Sequence, residues 1–408
     1  MFSEEFENNQ ILPLSLGALI FGYFLVFYQW SSQSVITVDS YNRLQSFICP
    51  PYFQSCESLY FLLTLPEGYS QSILYMILFT ALFWAVYLLF SKRWLEAQLI
   101  LIPVFVWHTA NVFLFTDIYS GNYEYYQFVF GVILLFLPHK VFFLKLSVVL
   151  LYIMSTIAKI HPAWIEGAYF TNMQIGLPLF PDWSIPVLTN LVLLMEMIGA
   201  WFLMSKNKFL QRSALVFFAI FHLYSGIIVL YRYPATVLPM VLILFGPLYK
   251  HSPVPFTKKS IISWVFVLSV FMIQFSPKLI YGDEKLTLEG NKYGLYMFES
   301  NHQCISEVEV LYKNGKTNRE IATKNSARNR CSPYNVWFYY NQVCERSPEI
   351  ERIAWTFDHS INGDPFLRIV DTENVCALEY SAFSHNQWIK THSDNPEIIG
   401  LPVMNSYY

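Results

Sequence analysis

The most regular feature of the chain is a succession of long apolar runs, each close to the roughly 20 residues that a helix needs to cross a bilayer. Short polar connections separate about nine such runs. The pattern therefore predicts a polytopic α-helical membrane protein of about nine spans, in which the short fourth and eighth runs are tilted or partly re-entrant. The runs cover residues 11–30, 70–90, 95–116, 123–138, 141–160, 184–204, 212–231, 234–249 and 260–281.

The pattern changes near residue 282, where the chain becomes polar and apolar residues alternate with a period of two. The segment “SEVEVLYKNGKT” contains an Asn-Gly pair after such an alternation, which predicts a β-hairpin. The segment “ERIAWTFDHSINGDPFLRIVD” predicts a second pair of strands, and Ser332 and Pro333 begin a helical spacing between the two. We therefore expect a transmembrane domain over residues 1–281 and a compact α+β domain over residues 282–408.

Basic residues divide the connections into two classes. The connections after the even-numbered runs are rich in lysine and arginine, whereas the other connections carry Arg43 and Arg232. The positive-inside rule then predicts a cytoplasmic N-terminus and an extracytoplasmic position for residues 31–69 and for the C-terminal domain. The residues assigned to the cytoplasmic side are Lys92, Arg93, Lys140, Lys206, Lys208, Arg212, Lys250, Lys258 and Lys259.

Composition supports a membrane protein and argues against a nucleic-acid-binding protein. Hydrophobic residues make up 54% of the chain and charged residues only 13%, which is too apolar for an ordinary soluble enzyme. The formal charge of −3 and the absence of a lysine or arginine run argue against nucleic acid as a partner.

All six cysteines lie outside the apolar runs, on the side predicted to be oxidising. They are Cys49, Cys56, Cys304, Cys331, Cys344 and Cys376. An even number in that position predicts disulfides, and no Cys/His spacing indicates a zinc site. The chain also lacks an Asn-x-Ser/Thr sequence, which favours a bacterial inner membrane over the endoplasmic reticulum.

Among the ionisable residues within or at the edge of the runs, four are candidates for a functional role: His108, Lys159, Glu196 and His222. Each costs about 2.5–3.5 kcal/mol on insertion scales and is therefore a candidate for function. Structural alternatives remain open. A lone histidine in a bundle is more often a hydrogen-bonding residue between helices than a catalyst. Glu196 is equally explained by a pairing with His222, and Lys159 by snorkelling towards the headgroups.

The sequence after Lys159 favours a chemical role for its amine. “HPAWIEGAYFTNMQIGLPLFPDWS” mixes aromatic residues with Pro and Gly, as an interfacial or re-entrant segment does. Such a segment would fold back over the amine and exclude water from it. Desolvation favours the uncharged form of an amine, and an uncharged lysine is a base.

At these residues the chain resembles the vitamin K-dependent γ-carboxylase family and the broader horizontally transferred transmembrane domain family. The segment “YIMSTIAKIHPAWIEG” supplies Tyr152, Lys159, Trp164, Glu166 and Gly167 at spacings similar to those of the family signature. “WHTANVF” resembles the segment of the family that holds a functional histidine, and “FHLYSGIIVL” resembles its Phe-His segment. The similarity extends in patches over residues 56–371.

The resemblance implies a reaction. Family members use a neutral lysine to deprotonate reduced vitamin K, a menaquinol- or phylloquinol-type quinone, which then reacts with O2. The strong base so formed removes a γ-proton from a glutamate of a peptide or protein, CO2 traps the carbanion, and the vitamin leaves as its epoxide. No metal takes part. By this resemblance Lys159 is the base and His108 orients or stabilises the reacting groups.

The resemblance also implies supporting residues and a disulfide. Glu196 and His222 would support the catalytic residues, and Trp164, Tyr152 and Glu166 would line the pocket for the prenylated quinol. The pairing Cys56–Cys344 would link the first outer connection to the C-terminal domain. The expected partners are membrane lipid, the lipid-soluble quinol and a secreted peptide or protein.

Two departures from the family keep other functions open. Ala158 stands where the family has the first of two lysines, and the C-terminal domain is shorter than in carboxylases that bind a propeptide. One alternative is a non-enzymatic membrane factor for maturation or export of a secreted peptide. Another is a transporter with a His/Glu proton relay, although the chain shows no internal repeats.

Overall fold

A computed structural model of the chain describes residues 2–44, 48–62, 70–115, 122–171, 176–228, 231–281, 284–295, 301–325, 331–361, 363–390 and 401–402. The described part is mostly helical, and a small antiparallel sheet follows at the C-terminal end. The first α-helices in chain order are α1 (Phe2–Glu7), α2 (Ile11–Leu44), α3 (Ser70–Phe90), α4 (Trp94–Leu114), α5 (Asn122–Phe136) and α6 (Lys140–Lys159). They are followed by α7 (Pro162–Ile165), α8 (Ala168–Thr171), α9 (Ile185–Leu194), α10 (Ala200–Phe202), α11 (Lys208–Ile228), α12 (Arg232–Phe245) and α13 (Ile261–Ile273).

Six helical stretches in the described residues are long and apolar enough to cross a membrane, which identifies a multi-pass membrane protein. They are Ile11–Ser31, Ser72–Phe90, Trp94–Leu114, Lys140–Lys159, Asp182–Phe202 and Lys208–Ile228. The other three apolar runs form the shorter helices α5, α12 and α13, of 15, 14 and 13 residues. Helix α2 continues to Leu44, past the end of its apolar run, and its 34 residues give a length of about 51 Å.

Contacts between connections define one end of the helical body. The carboxylate of Glu5 accepts hydrogen bonds from the backbone N–H groups of His139, at 3.0 Å, and Lys140, at 3.1 Å. A carboxylate is favoured there because the first N–H groups of α6 have no partner within the helix. The ammonium of Lys145 donates to the carbonyl oxygen of Lys250 at 2.6 Å. The N-terminus and the connections before α6 and α13 therefore lie together.

The connection between α2 and α3 and the C-terminal part of the chain both contact the opposite end. Tyr52 Oη donates to the carbonyl oxygen of Phe113, near the end of α4, at 2.6 Å. The amide of Asn301 donates to the carbonyl oxygen of Tyr169 in α8 at 2.7 Å. These contacts place the sheet beside the helix ends that the sequence predicts to be extracytoplasmic.

The sheet is antiparallel and its described strands follow the order β2-β1-β3-β4-β5. The strands are β1 (His302–Tyr312), β2 (Thr317–Asn325), β3 (Ile350–Ile361), β4 (Leu367–Thr372) and β5 (Leu401–Pro402). The predicted hairpins are confirmed: β1 pairs with β2 and β3 with β4. Gly315 and Gly363, from the two Asn-Gly pairs, have φ values of 80° and 85°, which glycine adopts without strain.

Two helices accompany the sheet, the short α14 (Glu284–Thr287) and α15 (Pro333–Arg346). Helix α15 begins where the sequence predicts, with Ser332 before it and Pro333 at its first position. Its Trp337 and Phe338 are buried in the same apolar core as Trp355 and Phe357 of β3. Helix and sheet therefore form one packed unit.

The six cysteines are all paired, as predicted, but the pairing implied by the resemblance is wrong. The disulfides are Cys49–Cys56, Cys304–Cys331 and Cys344–Cys376. Cys56 pairs within its own connection because Cys49 lies seven residues away, with the two Cα atoms 5.4 Å apart. Cys344 pairs with a cysteine of the C-terminal part instead.

The connection between α2 and α3 nevertheless contacts α15 without a covalent link. Tyr334 Oη donates to the carbonyl oxygen of Cys49 at 2.6 Å. The guanidinium of Arg346 donates to both carboxylate oxygens of Glu57 at 2.9 Å. Hydrogen bonds thus make the connection that the Cys56–Cys344 disulfide was expected to make.

Candidate functional site

A buried ion pair lies at the end of α6. Lys159 is the last residue of this helix, and its Nζ donates to both carboxylate oxygens of Glu196, at 2.6 and 2.7 Å. The two side chains are 3% and 0% exposed. Thr156, one turn earlier on the same face of α6, donates its hydroxyl to Glu196 Oε2 at 3.2 Å. A carboxylate held by three hydrogen bonds keeps the lysine inside the protein and rules out snorkelling for its amine.

The local sequence explains why Lys159 ends its helix. The backbone of Ile160 leaves the helical region, with ψ at 91°, and its N–H still bonds to the carbonyl oxygen of Thr156. Pro162 follows, and a proline disfavours helical backbone in the residue before it. The chain turns at this point and returns across the end of α6.

Glu196 reaches Lys159 from a local irregularity in its own helix. Residues Met195–Gly199 form a π-turn between α9 and α10. A π-turn contains one residue more than an α-turn, is rare, and occurs often at functional sites. Glycine at position 199 leaves room for the side chain of Met195, because a Cβ there would lie 2.8 Å from Met195 Sδ.

Aromatic rings cover the ammonium of Lys159. Its Nζ lies 5.3 Å from the ring centroid of Trp164 and 5.9 Å from that of Phe221, within the range of cation–π attraction. Trp164 belongs to a small apolar cluster, separate from the main core, that includes Tyr169, Phe170 and Ile185. The segment after Lys159 therefore folds back over the amine, as its sequence predicts.

A second polar group lies about two turns before Lys159 on α6. Tyr152 Oη and His222 Nε2 are 2.6 Å apart, and the Tyr152 ring stacks on Phe218 at 4.1 Å. Tyr126 of α5 is hydrogen-bonded to Ser155 at 3.3 Å and to Tyr233 at 3.4 Å. His222 thus pairs with Tyr152, and the alternative in which it pairs with Glu196 is wrong.

His108 lies elsewhere, on the face of α4 that contacts α2. Its fully buried ring stacks on Trp30 with centroids 5.1 Å apart and meets the edge of Tyr23 at 5.0 Å. Within the part of the chain that the structure describes, neither ring nitrogen has a hydrogen-bond partner. None of its ring contacts is with the residues around Lys159.

Two further buried polar groups also lack hydrogen bonds among the described residues: the hydroxyl of Tyr23, whose ring contacts that of His108, and the side-chain amide of Gln127 on α5. Glycines let α2 and α5 approach closely at these residues, because a Cβ on Gly22 would lie 2.8 Å from Gln127 Nε2 and one on Gly131 would lie 3.4 Å from Tyr23 Oη. His108, Tyr23 and Gln127 form what we call the α2–α5 polar cluster. Its atoms offer both donors and acceptors.

The structure therefore separates the residues that the sequence grouped. Lys159, Glu196 and Trp164 come together, with Tyr152 and His222 further along the helices. Glu166 is exposed at the surface and contributes nothing to this group. Four further residues of these groups were not predicted from the sequence: Thr156, Tyr126, Tyr23 and Gln127. Of these, only Thr156 had a readable signal, since it precedes Lys159 by three residues on a helix.

The C-terminal part adds a second buried lysine beside the pair. Lys285 of α14 is 6% exposed and donates its Nζ to the carbonyl oxygen of Ala158 at 2.8 Å. The next residue, Leu286, has its carbonyl oxygen 2.7 Å from His359 Nδ1 of β3. A lysine from another element thus lies close to Ala158, in the last turn of α6.

Comparison with models of known protein families finds no match, and no characterised protein or solved structure is significantly similar to the chain. Among the described residues no group of three or more His, Cys, Asp or Glu side chains could hold a metal ion. The resemblance to the carboxylase family accordingly stays a prediction.

The chemistry open to the ion pair follows from its surroundings. An amine and a carboxyl group that share one proton carry no net charge, whether the proton sits on nitrogen or on oxygen. Burial away from water removes much of the hydration that stabilises the ammonium and the carboxylate relative to the neutral amine and carboxylic acid. The pair can accept one further proton, and Thr156 and Trp164 leave it little freedom to move.

Proposed function

We propose that this chain is a vitamin K-dependent carboxylase-like membrane enzyme. It would oxidise a reduced quinone with O2 to the quinone epoxide and couple this to carboxylation of a glutamate in a secreted peptide or protein. The observation that carries the proposal is the buried Lys159–Glu196 pair, because a proton acceptor kept dry within a membrane protein suits a lipid-soluble acid. The overall reaction consumes quinol, O2, CO2 and a glutamate C–H and yields epoxide, γ-carboxyglutamate and water.

The residues present fit a quinol head group. The α2–α5 polar cluster offers hydrogen-bonding atoms without partners among the described residues, and aromatic rings line it, as in sites for flat polar ligands. His108, Tyr23 and Gln127 would hold one ring oxygen, and the ring hydroxyl that loses its proton would face the Lys159–Glu196 pair. A reduced quinone supplies the two electrons with which O2 is activated. The apolar helices would surround its prenyl chain.

In this proposal the proton acceptor is the ion pair and not an isolated amine. Lys159 and Glu196 receive the proton together, and Thr156 fixes the carboxylate so that the proton enters at a defined oxygen. Trp164 and Phe221 exclude water, which would otherwise quench a strong base. Tyr152 and His222 would support the same region from within the bundle.

The topology belongs to the proposal as well. We place nine spans across the membrane, counting α5, α12 and α13, with the N-terminus in the cytoplasm and the C-terminal domain outside. The three disulfides fit an oxidising compartment, and a bacterial inner membrane is favoured over the endoplasmic reticulum.

The test measures epoxide formation and fixation of labelled CO2 by protein in nanodiscs supplied with vitamin K hydroquinone, O2 and a glutamate-containing peptide. The wild type is expected to form epoxide, and Lys159→Met and Glu196→Gln to lower the rate at least 100-fold. The control is Lys145→Met, which removes a buried lysine at the other end of the same helix. Absence of epoxide from folded wild type, or full activity in Lys159→Met, contradicts the proposal.

A second candidate is a non-enzymatic factor that binds a secreted peptide for maturation or export. It is favoured by β2, which ends the described sheet on one side and is exposed along its length from Thr317 to Ile321. Such an edge can accept an extended peptide as an added strand. Peptide binding that survives in Lys159→Met, with no epoxide in any variant, would support this candidate.

A further inference from the structure

An exposed phenylalanine of the C-terminal part lies beside the ends of membrane helices. Phe383, in the loop over residues 381–385, is 74% exposed. A single exposed apolar side chain is ordinary on a domain surrounded by water. Here its position relative to the helical body changes the interpretation.

The first set of contacts connects this loop to the end of α4. Tyr52 donates to the carbonyl oxygen of Phe113 at 2.6 Å, and its ring lies 5.8 Å from that of Tyr293. Tyr293 in turn lies 5.3 Å from the ring of Phe383 and donates its hydroxyl to the carbonyl oxygen of Ala382. Burial raises the pKa of Tyr52 and of Tyr293, so both rings stay uncharged at this boundary.

The second set of contacts connects the same loop to the chain after α13. The ring of Tyr281 lies 5.9 Å from that of His385. Tyr281 is 54% exposed and Leu279 is 84% exposed, so apolar surface continues from the end of the last helix onto the C-terminal part. Leu179 and Trp183, ahead of α9, are exposed at the same end of the bundle.

From these two sets of contacts we infer that Phe383, Leu279 and Tyr281 insert into the lipid of the adjacent leaflet. We call these three residues the membrane wedge. The occupant of the surface is the boundary between headgroups and acyl chains, because the wedge is continuous with helices that already contact lipid. Aromatic residues are concentrated at that depth in membrane proteins. Large exposed apolar patches commonly mark surfaces that bind a protein or a membrane. The C-terminal domain is thereby held against the membrane surface.

The wedge is tested by cysteine labelling, which is selective because all six native cysteines are in disulfides. Phe383→Cys carries a bimane fluorophore in nanodiscs whose lipids are brominated near the headgroup. We expect fluorescence at least twofold lower than in unbrominated nanodiscs. The control is Ile321→Cys, an exposed position on β2 of the same domain, for which the ratio should stay near one.

Aqueous iodide gives the complementary measurement, quenching the label at residue 321 more than the label at residue 383. Equal iodide quenching at both positions, with no effect of bromine at residue 383, would overturn the inference. If Phe383→Cys does not fold, the exposed neighbour Ser384→Cys takes its place with the same expected outcomes.

Discussion

At the scale of single residues, burial of the Lys159–Glu196 pair carries a large desolvation free energy. Removal of either partner alone carries a large loss of stability. Two charges lose their hydration in the interior, and their attraction together with the Thr156 hydrogen bond offsets that loss. Removal of one partner leaves a buried group without its counter-charge. Replacement of both partners by apolar groups removes the cost and the attraction together.

We therefore predict that Glu196→Leu lowers the free energy of unfolding by about 3–5 kcal/mol. The double variant Lys159→Met/Glu196→Leu should recover most of that loss. Unfolding by denaturant in detergent micelles measures both. The double variant should still form no epoxide, which separates the structural role of the pair from its chemical role. Additive losses in the double variant would show that the two side chains are not coupled.

At the scale of elements, the end of α6 depends on groups from other parts of the chain. The last carbonyl groups of a helix have no partner within it, and the carbonyl oxygen of Ala158 obtains one from Lys285. A cation is favoured at that end of a helix by the helix dipole. Helix α14, although short, thus fixes the helix end that carries Lys159.

Replacement of Lys285 by methionine is expected to lower the free energy of unfolding by about 1–3 kcal/mol, because a buried carbonyl loses its donor. Lys285→Arg should lose less. Lys278→Met is the matched control: Lys278 is 45% exposed and pairs with Glu284 at 2.7 Å, and such surface pairs contribute about 1 kcal/mol or less. Equal effects of the two methionine variants in denaturant unfolding would contradict the role given to Lys285.

The segment that covers Lys159 depends on one glycine. Gly167 has a φ of 78°, and a Cβ there would lie 2.8 Å from Ile185 Cγ2 and 3.2 Å from the backbone nitrogen of Pro186. Gly167→Ala should therefore cost more than the about 1–2 kcal/mol of left-handed backbone alone and increase amide exchange in residues 161–171. Gly315→Ala is the control, because its φ of 80° is similar and nothing lies within 4 Å. Similar costs for the two variants would show that the contact with Ile185 is unimportant.

Local patterns predicted the elements well and their partners poorly. The end of α6 at Lys159, the start of α15 and both Asn-Gly hairpins follow from capping, proline and turn preferences, which act over a few residues. Glu196 is 37 positions from Lys159, and no periodicity indicates the π-turn that presents it. The α2–α5 polar cluster likewise depends on the approach of helices at Gly22 and Gly131, which only tertiary packing determines.

At the scale of the whole molecule, the contacts divide the connections between two ends, and this division makes the orientation testable. Lys206, after α10, is exposed at one end, and Ile321 of β2 is exposed at the other. A membrane-impermeant maleimide added to intact cells should label Ile321→Cys and leave Lys206→Cys unlabelled until the cells are permeabilised. Labelling of Lys206→Cys in intact cells would contradict the proposed orientation and indicate the opposite one.

The pairing of the cysteines bears on how the chain matures. No disulfide joins residues more than 32 positions apart in the sequence. In the proposed orientation, the Cys49–Cys56 and Cys304–Cys331 bridges can therefore close once their own stretches have crossed the bilayer, while later residues are still being synthesised. The proposed orientation thus allows the Cys49–Cys56 bridge to form when only the first membrane helix has been inserted.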